Sequence, residues 1–249
     1  MTFHVIIPAR FQSTRLPGKP LAKIGGKEMI LRTCERAADS GAESVTVATD
    51  NKKIQTVVNQ AGFKAVLTRE DHQSGSDRIF EATELLGLRN EDVIVNVQGD
   101  EPFIPSKNIA QVASIISNTQ AQMATLCCPF IEISEAKNPN AVKVIFDKNK
   151  SAIYFSRSLI PFDRNTDTAI QNAQNYYRHI GIYSYTKAFL KQYVSWPVSN
   201  LEKTERLEQL RVLENGEEIY LEVLTNSPPA GIDTKEDLVH ANQVFNNLN

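Results

Sequence analysis

The segment from Pro8 to Leu21 carries three cations, Arg10, Arg15 and Lys19. An arginine presents a planar fork of N–H donors to two phosphate oxygens, and a lysine adds a mobile positive charge. Gly18 and the prolines beside it restrict the conformations of the segment, which reduces the entropy lost when a ligand binds. The segment could therefore bind a triphosphate. The alternative interpretation is a solvated basic loop.

The charge of the chain is unevenly distributed. The first 27 residues contain five basic side chains and no acid, so the rest of the chain sums to −7 (−2 less 5). This balance predicts local anion binding and excludes a generally cationic surface for nucleic acid. No apolar run approaches the about 18 residues of a membrane span, and Pro8 and Arg10 interrupt the first apolar run, unlike a signal peptide. We expect a cytoplasmic protein without membrane insertion.

Two aspartates lie at the ends of predicted secondary-structure elements, where their carboxylates could bind a metal. Asp100 in VNVQGDEP follows a buried apolar run, and Asp233 in PPAGIDT precedes the last predicted helix. Mg²⁺ takes hard oxygen ligands, commonly one or two carboxylates together with phosphate oxygens and water. Glu101 is a rival ligand to Asp100, and Asp233 or Thr234 could instead be a helix N-cap.

Several common sites are absent from the sequence. There is no G-x-G, so the dinucleotide fingerprint is missing, and Gly26-Lys27 does not complete a Walker A motif. There is no H-E-x-x-H and no C-x-x-C, which leaves zinc without support. The odd number of cysteines predicts buried thiols at Cys34, Cys127 and Cys128.

The first hundred residues alternate between apolar runs and helical periodicity, which predicts a parallel sheet with right-handed crossovers. The predicted strands are 3–9, 44–49, 64–67 and 93–97, and the predicted helices are 28–40, 52–61 and 77–86.

The middle of the chain changes pattern, because short strands at 123–128, 142–147 and 152–155 follow one another closely and indicate an antiparallel excursion. Residues 163–175 are polar and irregular and predict a mobile loop. The remaining predictions are strands at 177–185 and 218–224 and helices at 187–194, 201–214 and 234–245. With no linker or repeat, we expect a single domain over 1–249.

The segment PARFQSTRLPGKPL resembles the signature of the nucleotide-sugar cytidylyltransferases, most closely of those that act on 3-deoxy-D-manno-octulosonate (Kdo). Further matching blocks follow in order: VATD (47–50), DHQSGSDR (71–78), VNVQGDEP (95–102), NPNAVKV (138–144), YFSRSLIPFDR (154–164), RHIGIYSY (178–185), LEQLRVLENGE (207–217) and GIDTKEDL (231–238). The resemblance thus covers nearly the whole chain.

This resemblance implies a Rossmann-like, mostly parallel sheet flanked by helices, of the nucleotide-diphospho-sugar transferase type, with an antiparallel excursion that serves dimerisation within about residues 130–180. The implied reaction transfers CMP from CTP to the anomeric hydroxyl of Kdo, giving CMP-Kdo and pyrophosphate for lipopolysaccharide biosynthesis. It also implies a homodimer and a Mg²⁺ cofactor held by Asp100 and Asp233.

The resemblance assigns roles to individual residues. Its implied catalytic residues are Arg10, Arg15, Lys19 and Asp100. Its implied nucleotide-binding residues are Ala9, Arg10, Arg15, Lys19, Ser74, Gly75, Arg78 and Gln98. Its implied sugar-binding residues are Gln98, Arg157, His179, Tyr183, Glu208 and Gln209. Without the resemblance, Glu208 and Gln209 would be a solvated helix face beside a stripe of Leu207, Leu210 and Leu213, and His179 would be an ordinary, partly buried histidine.

Three other functions compete with this interpretation. A CMP-sialic acid synthetase shares the first loop but differs in the later blocks, and QGDEP and RHIGIY favour Kdo. A regulatory nucleotide-binding module would not need both aspartates and all three loop cations. A nucleic-acid-binding module disagrees with the acidic remainder of the chain.

Overall fold

The computed structural model describes residues 2–12, 15–164 and 173–247. Its strands are β1 (Phe3–Ala9), β2 (Lys23–Ile24), β3 (Lys27–Glu28), β4 (Ser44–Thr49), β5 (Lys64–Leu67), β6 (Val93–Asn96), β7 (Met123–Pro129), β8 (Lys143–Phe146), β9 (Ala152–Ser156), β10 (Tyr177–Thr186) and β11 (Tyr220–Val223). Its helices are α1 (Met29–Ala38), α2 (Lys52–Gln60), α3 (Gly75–Leu85), α4 (Ser106–Asn118), α5 (Ile133–Lys137), α6 (Lys187–Ser195), α7 (Asn200–Glu205), α8 (Leu210–Glu214) and α9 (Lys235–Asn247).

Nine of these strands form one large sheet with the main order β11-β7-β10-β6-β1-β4-β5, and β2 and β3 form a separate two-stranded sheet. Strands β6, β1, β4 and β5 run parallel, as do β11 and β7, whereas β10 is antiparallel to both β6 and β7. Strand β8 pairs with the start of β10 and with β9, which makes the antiparallel excursion. The predicted fold class, a mostly parallel α/β sheet with such an excursion, is confirmed.

The sheet separates two apolar cores because successive side chains of a strand point to opposite faces. On β1, Val5 and Ile7 pack with residues of α1, α2 and α4, whereas Ile6 packs on the other face with residues of α3, α6 and α8. Helices therefore cover both faces, which is why β1 and β6 are continuous apolar runs.

The carboxyl ends of β1 and β6 lie side by side at one edge of the sheet, since Ile6 is in register with Asn96. A Cβ atom on Gly99 would lie 3.2 Å from the carbonyl oxygen of Pro8, a tight contact, so glycine favours the close passage of the loop after β6 beside β1. Because β10 runs in the opposite direction and Tyr183 pairs with Asn96, the first half of β10 extends beyond β6 at this same edge.

Most predicted elements match the observed ones to within two residues, but the helix predicted over 201–214 is wrong. The segment forms two short helices, α7 and α8, and Arg206 between them adopts left-handed backbone angles (φ 54°). Helix α4 was not predicted, although Ile109, Val112 and Ile116 have helical spacing. Most of the loop predicted at 163–175, residues 165–172, lies outside the described residues.

All three cysteines are buried, as predicted. Burial raises the pKa of the Cys34 thiol to about 12, so this thiol stays protonated and unreactive at neutral pH. Across the ranges that the structure describes, no helix has both the length and the apolar character that crossing a membrane requires.

Candidate active site

A cavity of about 730 Å³ opens at the carboxyl edge of the sheet, between the loops after β1 and β6 and the first half of β10. Open α/β sheets bind ligands at this edge, where the chain leaves neighbouring strands in opposite directions. The predicted site residues that line the cavity are Ala9, Arg10, Arg15, Lys19, Gly75, Gln98, Asp100, Arg157, His179, Tyr183, Glu208, Gln209 and Asp233.

Lys19 lies between the two aspartates that the sequence singles out. Its ammonium contacts Asp100 Oδ2 and donates to Asp233 Oδ1 over 2.8 Å, and Arg15 contacts the same Asp233 oxygen at 3.0 Å. Burial alone would lower the pKa of Lys19, but the two carboxylates outweigh this effect, so its pKa is raised. The lysine therefore remains a cation that holds both carboxylates together.

The two aspartates are suitable ligands for a divalent cation. Both carboxylates converge on one lysine nitrogen, so a single small cation could be reached by both. Among the described residues there is no cluster of three or more His, Cys, Asp or Glu that could hold a metal by themselves. Two carboxylates completed by phosphate oxygens and water suit Mg²⁺, which keeps several waters.

The structure distinguishes between the alternatives for these aspartates. Glu101 lies outside the cavity lining, and burial, with Asp100 nearby, raises its pKa to about 8, which makes it a poor ligand at neutral pH. At the start of α9, Thr234 Oγ1 accepts from the Asp237 N–H over 3.1 Å. The helix cap is therefore formed by Thr234, and the carboxylate of Asp233 faces Lys19 instead.

Arg10 presents an unpaired donor near the cavity. Its Nη2 atom is buried and has no hydrogen-bond partner among the described residues, although the residue lines the cavity. A buried donor of this kind is costly unless an acceptor arrives. A phosphate oxygen would satisfy it.

Two predicted nucleotide-binding residues, Ser74 and Arg78, lie outside the cavity lining. Ser74 caps α3, since its Oγ accepts from the Asp77 N–H over 3.0 Å. Arg78 is fully buried, and its Nη2 donates to Asp50 Oδ2 over 2.7 Å. Both residues fix the start of α3, whose first two residues, Gly75 and Ser76, reach the cavity.

On the other side of the cavity, Arg157 is held in place by backbone carbonyls. Its Nε donates to Glu205 O over 2.8 Å, its Nη1 to Pro139 O over 3.1 Å, and its Nη2 to Arg206 O over 3.4 Å. These bonds leave N–H donors of the guanidinium unused, since the group has five. Arg157 therefore presents an immobilised positive charge at the cavity.

His179 lies against two aromatic rings, Phe155 at 4.9 Å and Tyr183 at 5.4 Å. Its Nε2 is 3.0 Å from Thr125 Oγ1. Burial lowers the pKa of His179 to about 3, so the imidazole is neutral near pH 7. A neutral imidazole has one hydrogen-bond donor and one acceptor and carries no charge into the cavity.

Glu208 and Gln209 do not form the solvated helix face that their local pattern indicates, because the chain turns at Arg206 instead of continuing as a helix. Ser76 Oγ donates to Glu208 Oε2 over 3.0 Å. Desolvation by the surrounding protein raises the pKa of the Glu208 carboxyl. Gln209 is buried, and its Nε2 has no partner among the described residues.

Among the lining residues that were not predicted, six carry polar or charged side chains: Gln12, Ser76, Asn96, Tyr185, Tyr193 and Arg206. Gln12, Ser76, Asn96 and Tyr185 lie inside the matched blocks PARFQSTRLPGKPL, DHQSGSDR, VNVQGDEP and RHIGIYSY, so their position in those blocks was a usable signal. Tyr193 and Arg206 carry no local signal, because only the folding of α6 and of the α7–α8 turn brings them to the cavity.

The chain is similar to known proteins along nearly its whole length. The family model described as cytidylyltransferase matches residues 4–219. A 3-deoxy-manno-octulosonate cytidylyltransferase of Francisella tularensis subsp. novicida (strain U112) is 51% identical over 245 residues, which cover 98% of both chains. One of the same name from Pectobacterium carotovorum subsp. carotovorum (strain PC1) is 51% identical over 249 residues, 99% of this chain and 100% of the relative.

A solved structure is also similar along the whole chain. It is CMP:2-keto-3-deoxy-manno-octonic acid synthetase complexed with CTP, at 36% identity and a TM-score of 0.90, covering 100% of this chain and 99% of that one. Both the sequence and the fold therefore match over nearly the full length. The chain belongs to the cytidylyltransferase family, together with the 3-deoxy-manno-octulosonate cytidylyltransferases.

Proposed function

We propose that this protein transfers CMP from CTP to the anomeric hydroxyl of Kdo, giving CMP-Kdo and pyrophosphate. The observation that carries the proposal is one continuous cavity. It has the cations Arg10, Arg15 and Lys19 on one side and the hydrogen-bonding residues His179 and Glu208 on the other. Relatives at 51% identity carry the corresponding name.

In this reaction the sugar hydroxyl attacks the α-phosphorus of CTP in line with the departing pyrophosphate. The three cations bind the triphosphate and stabilise the pyrophosphate as it leaves. Arg157 binds the carboxylate of the sugar acid, and Gln98, His179, Tyr183, Glu208 and Gln209 bind its hydroxyls. Positioning and charge neutralisation supply most of the acceleration, and no covalent intermediate with the enzyme is needed.

The cofactor in this proposal is Mg²⁺, which Asp100 and Asp233 would hold. When bound, it would lower the pKa of the attacking hydroxyl and neutralise charge on the triphosphate. The support is that both carboxylates converge on one position, which the Lys19 ammonium occupies. Lys19 is then expected to turn towards the phosphates.

The test of the reaction is turnover of a panel of sugar acids, including Kdo, amino-substituted relatives of Kdo and sialic acid, with each of the four nucleoside triphosphates. We expect labelled CMP-Kdo from α-³²P CTP in the presence of Mg²⁺, and little product with UTP, ATP or GTP. Preferred turnover of sialic acid would favour a CMP-sialic acid synthetase. Absence of any labelled sugar would contradict the proposal.

We also propose that the protein is a homodimer through a segment within about residues 130–180. Three large apolar side chains in the described part of this segment are exposed: Ile131 (76%), Ile153 (57%) and Phe162 (81%). Contiguous exposed apolar surface is typical of interaction sites, and these side chains would contribute to such a surface in the proposed dimer. Light scattering after gel filtration should give twice the chain mass of 27.8 kDa, and Phe162→Asp should shift it towards the monomer.

The proposed product implies a place in the cell. An activated Kdo would serve lipopolysaccharide biosynthesis, and CTP is a cytoplasmic metabolite. We therefore propose a cytoplasmic enzyme, to be tested by measuring CMP-Kdo formation in cytoplasmic and membrane fractions of the native cell. Recovery of the activity mainly with membranes would contradict this location.

A further inference from the structure

Ser76 connects the beginning of α3 with Glu208, which is 132 positions further along the chain. Its Oγ donates to Glu208 Oε2 over 3.0 Å, and the backbone of Gly75 bonds the same carboxylate. Ser76 is largely buried and lies in the cavity wall. Gly75 and Ser76, the first two residues of α3, therefore both bind the Glu208 carboxylate.

The backbone of Glu208 is held from the opposite direction. The hydroxyl of Tyr193, on α6, donates to the carbonyl oxygen of Glu208 over 2.9 Å. Tyr193 itself is buried beneath the Arg211 guanidinium, 5.1 Å from the ring centre, and Arg211 makes two hydrogen bonds of 2.7 Å to Glu202. The position of Glu208 is thus determined by contacts with two helices that are distant in sequence.

The held carboxylate still has acceptor capacity facing the cavity. An ionised carboxylate has about four lone-pair sites, and Ser76 and Gly75 use only some of them. Glu208 lines the cavity together with the hydroxyl-bearing side chains Tyr183 and Tyr185. A carboxylate repels phosphate but accepts hydrogen bonds from hydroxyl groups, so this part of the cavity suits a polyhydroxylated ligand and not the nucleotide phosphates.

We infer that Ser76 is a positioning residue for sugar recognition: its hydroxyl orients the Glu208 carboxylate so that it accepts hydrogen bonds from hydroxyls of the sugar acid. This inference rests on the proposed function. Ser76 itself acts through Glu208. The start of α3 then serves both substrates, since Gly75 belongs to the loop implied in nucleotide binding and Ser76 orients the residue that binds the sugar.

The test compares Ser76→Ala with Ser76→Thr, which keeps the hydroxyl. In steady-state kinetics, Ser76→Ala should raise KM for Kdo at least about tenfold, the scale of a lost hydrogen bond to a charged group, and should change KM for CTP less than about twofold. Ser76→Thr should restore KM for Kdo to within about threefold of wild type. Thermal unfolding of each variant establishes that it is folded under the assay conditions.

The matched control is Ser184→Ala. Ser184 is also a buried serine, and its Oγ donates to Val112 O over 2.6 Å, but it lies outside the cavity lining. This variant loses one buried hydrogen bond without touching Glu208. Its KM for either substrate should therefore stay near the wild-type value.

Two results would overturn the inference: a KM for Kdo within about twofold of wild type in Ser76→Ala, or an equal rise of KM for Kdo and CTP. A failure of the proposed function gives a different result, because the wild-type protein itself then does not turn over Kdo. In that case the same variants are compared on the sugar acid of the panel that is turned over. If none is, the inference falls with the proposed function.

Discussion

The ammonium of Lys19 donates to Asp233 Oδ1 over 2.8 Å, joining residues 214 positions apart in the chain. The same ammonium contacts Asp100. One cation from the first loop thus organises two acids that come from the loop after β6 and from the start of α9. Removing it leaves the two carboxylates with Arg15 as the remaining described cation beside Asp233.

Replacing Lys19 should weaken the triphosphate side of the site. In Lys19→Met we expect kcat/KM for CTP to fall at least tenfold, which corresponds to about 1.4 kcal/mol of transition-state stabilisation. The reason is that the negative charge on the leaving pyrophosphate no longer has the Lys19 ammonium to stabilise it. The control is Lys23→Met, since Lys23 is an exposed lysine among the first 27 residues. The kcat/KM of Lys23→Met should stay within about twofold of wild type. An equal loss in both variants would show that Lys19 contributes only nonspecific positive charge and no specific contact with the triphosphate.

The metal assignment predicts that neither aspartate can be neutralised without loss. Asp100→Asn and Asp233→Asn keep the side-chain size but remove the charge that a divalent cation requires. Each should lower kcat more than about tenfold at saturating Mg²⁺. The control is Asp39→Asn, an exposed acid beyond the end of α1. Turnover within tenfold of wild type in either site variant would show that this residue is not an essential ligand.

His179 should make the protein less stable in mild acid. Its pKa is lowered from 6.5 to about 3 by burial, so below pH 6.5 the unfolded chain binds a proton that the folded protein does not. The stabilisation is complete above pH 6.5 and is lost progressively as the pH falls towards 3. Between pH 7 and pH 5 the loss should reach up to about 2 kcal/mol.

Urea unfolding at pH 7 and pH 5 measures this loss. His179→Gln should reduce the difference between the two pH values, whereas His240→Gln, at an exposed position of α9, should leave it unchanged. An identical difference in wild type and His179→Gln would show that this histidine does not carry the acid sensitivity.

The buried Arg78 should matter for stability more than an exposed arginine does. Arg78→Met leaves Asp50 without the guanidinium that donates to it over 2.7 Å, and we expect the free energy of unfolding to fall by about 3 kcal/mol. The control is Arg69→Met, because Arg69 forms an exposed ion pair with Asp71. That change should cost less than about 1 kcal/mol in urea unfolding. Equal losses would contradict the structural importance of Arg78.

Local patterns were sufficient for most of the framework. The apolar, β-branched run of β1 and the helical spacing in α1 are determined by neighbouring residues, so they could be predicted to within two residues. The α7–α8 region could not, because the turn at Arg206 depends on distant partners: Ser156 and Arg157 bind the carboxylate of Glu205. Helical periodicity continues across that turn and predicts a single helix.

In the candidate site, too, some features follow from the sequence alone and others depend on the tertiary structure. By itself, the sequence determined the family, the order of the motif blocks and the chemistry of the first-loop cations, because residue types and their spacing are properties of the chain. Only the tertiary structure decided that Lys19 lies between Asp100 and Asp233, that Arg78 is buried beside Asp50, and that Glu208 is held by Ser76. These contacts join residues 28 to 214 positions apart, and such proximity arises when the sheet and its helices pack together.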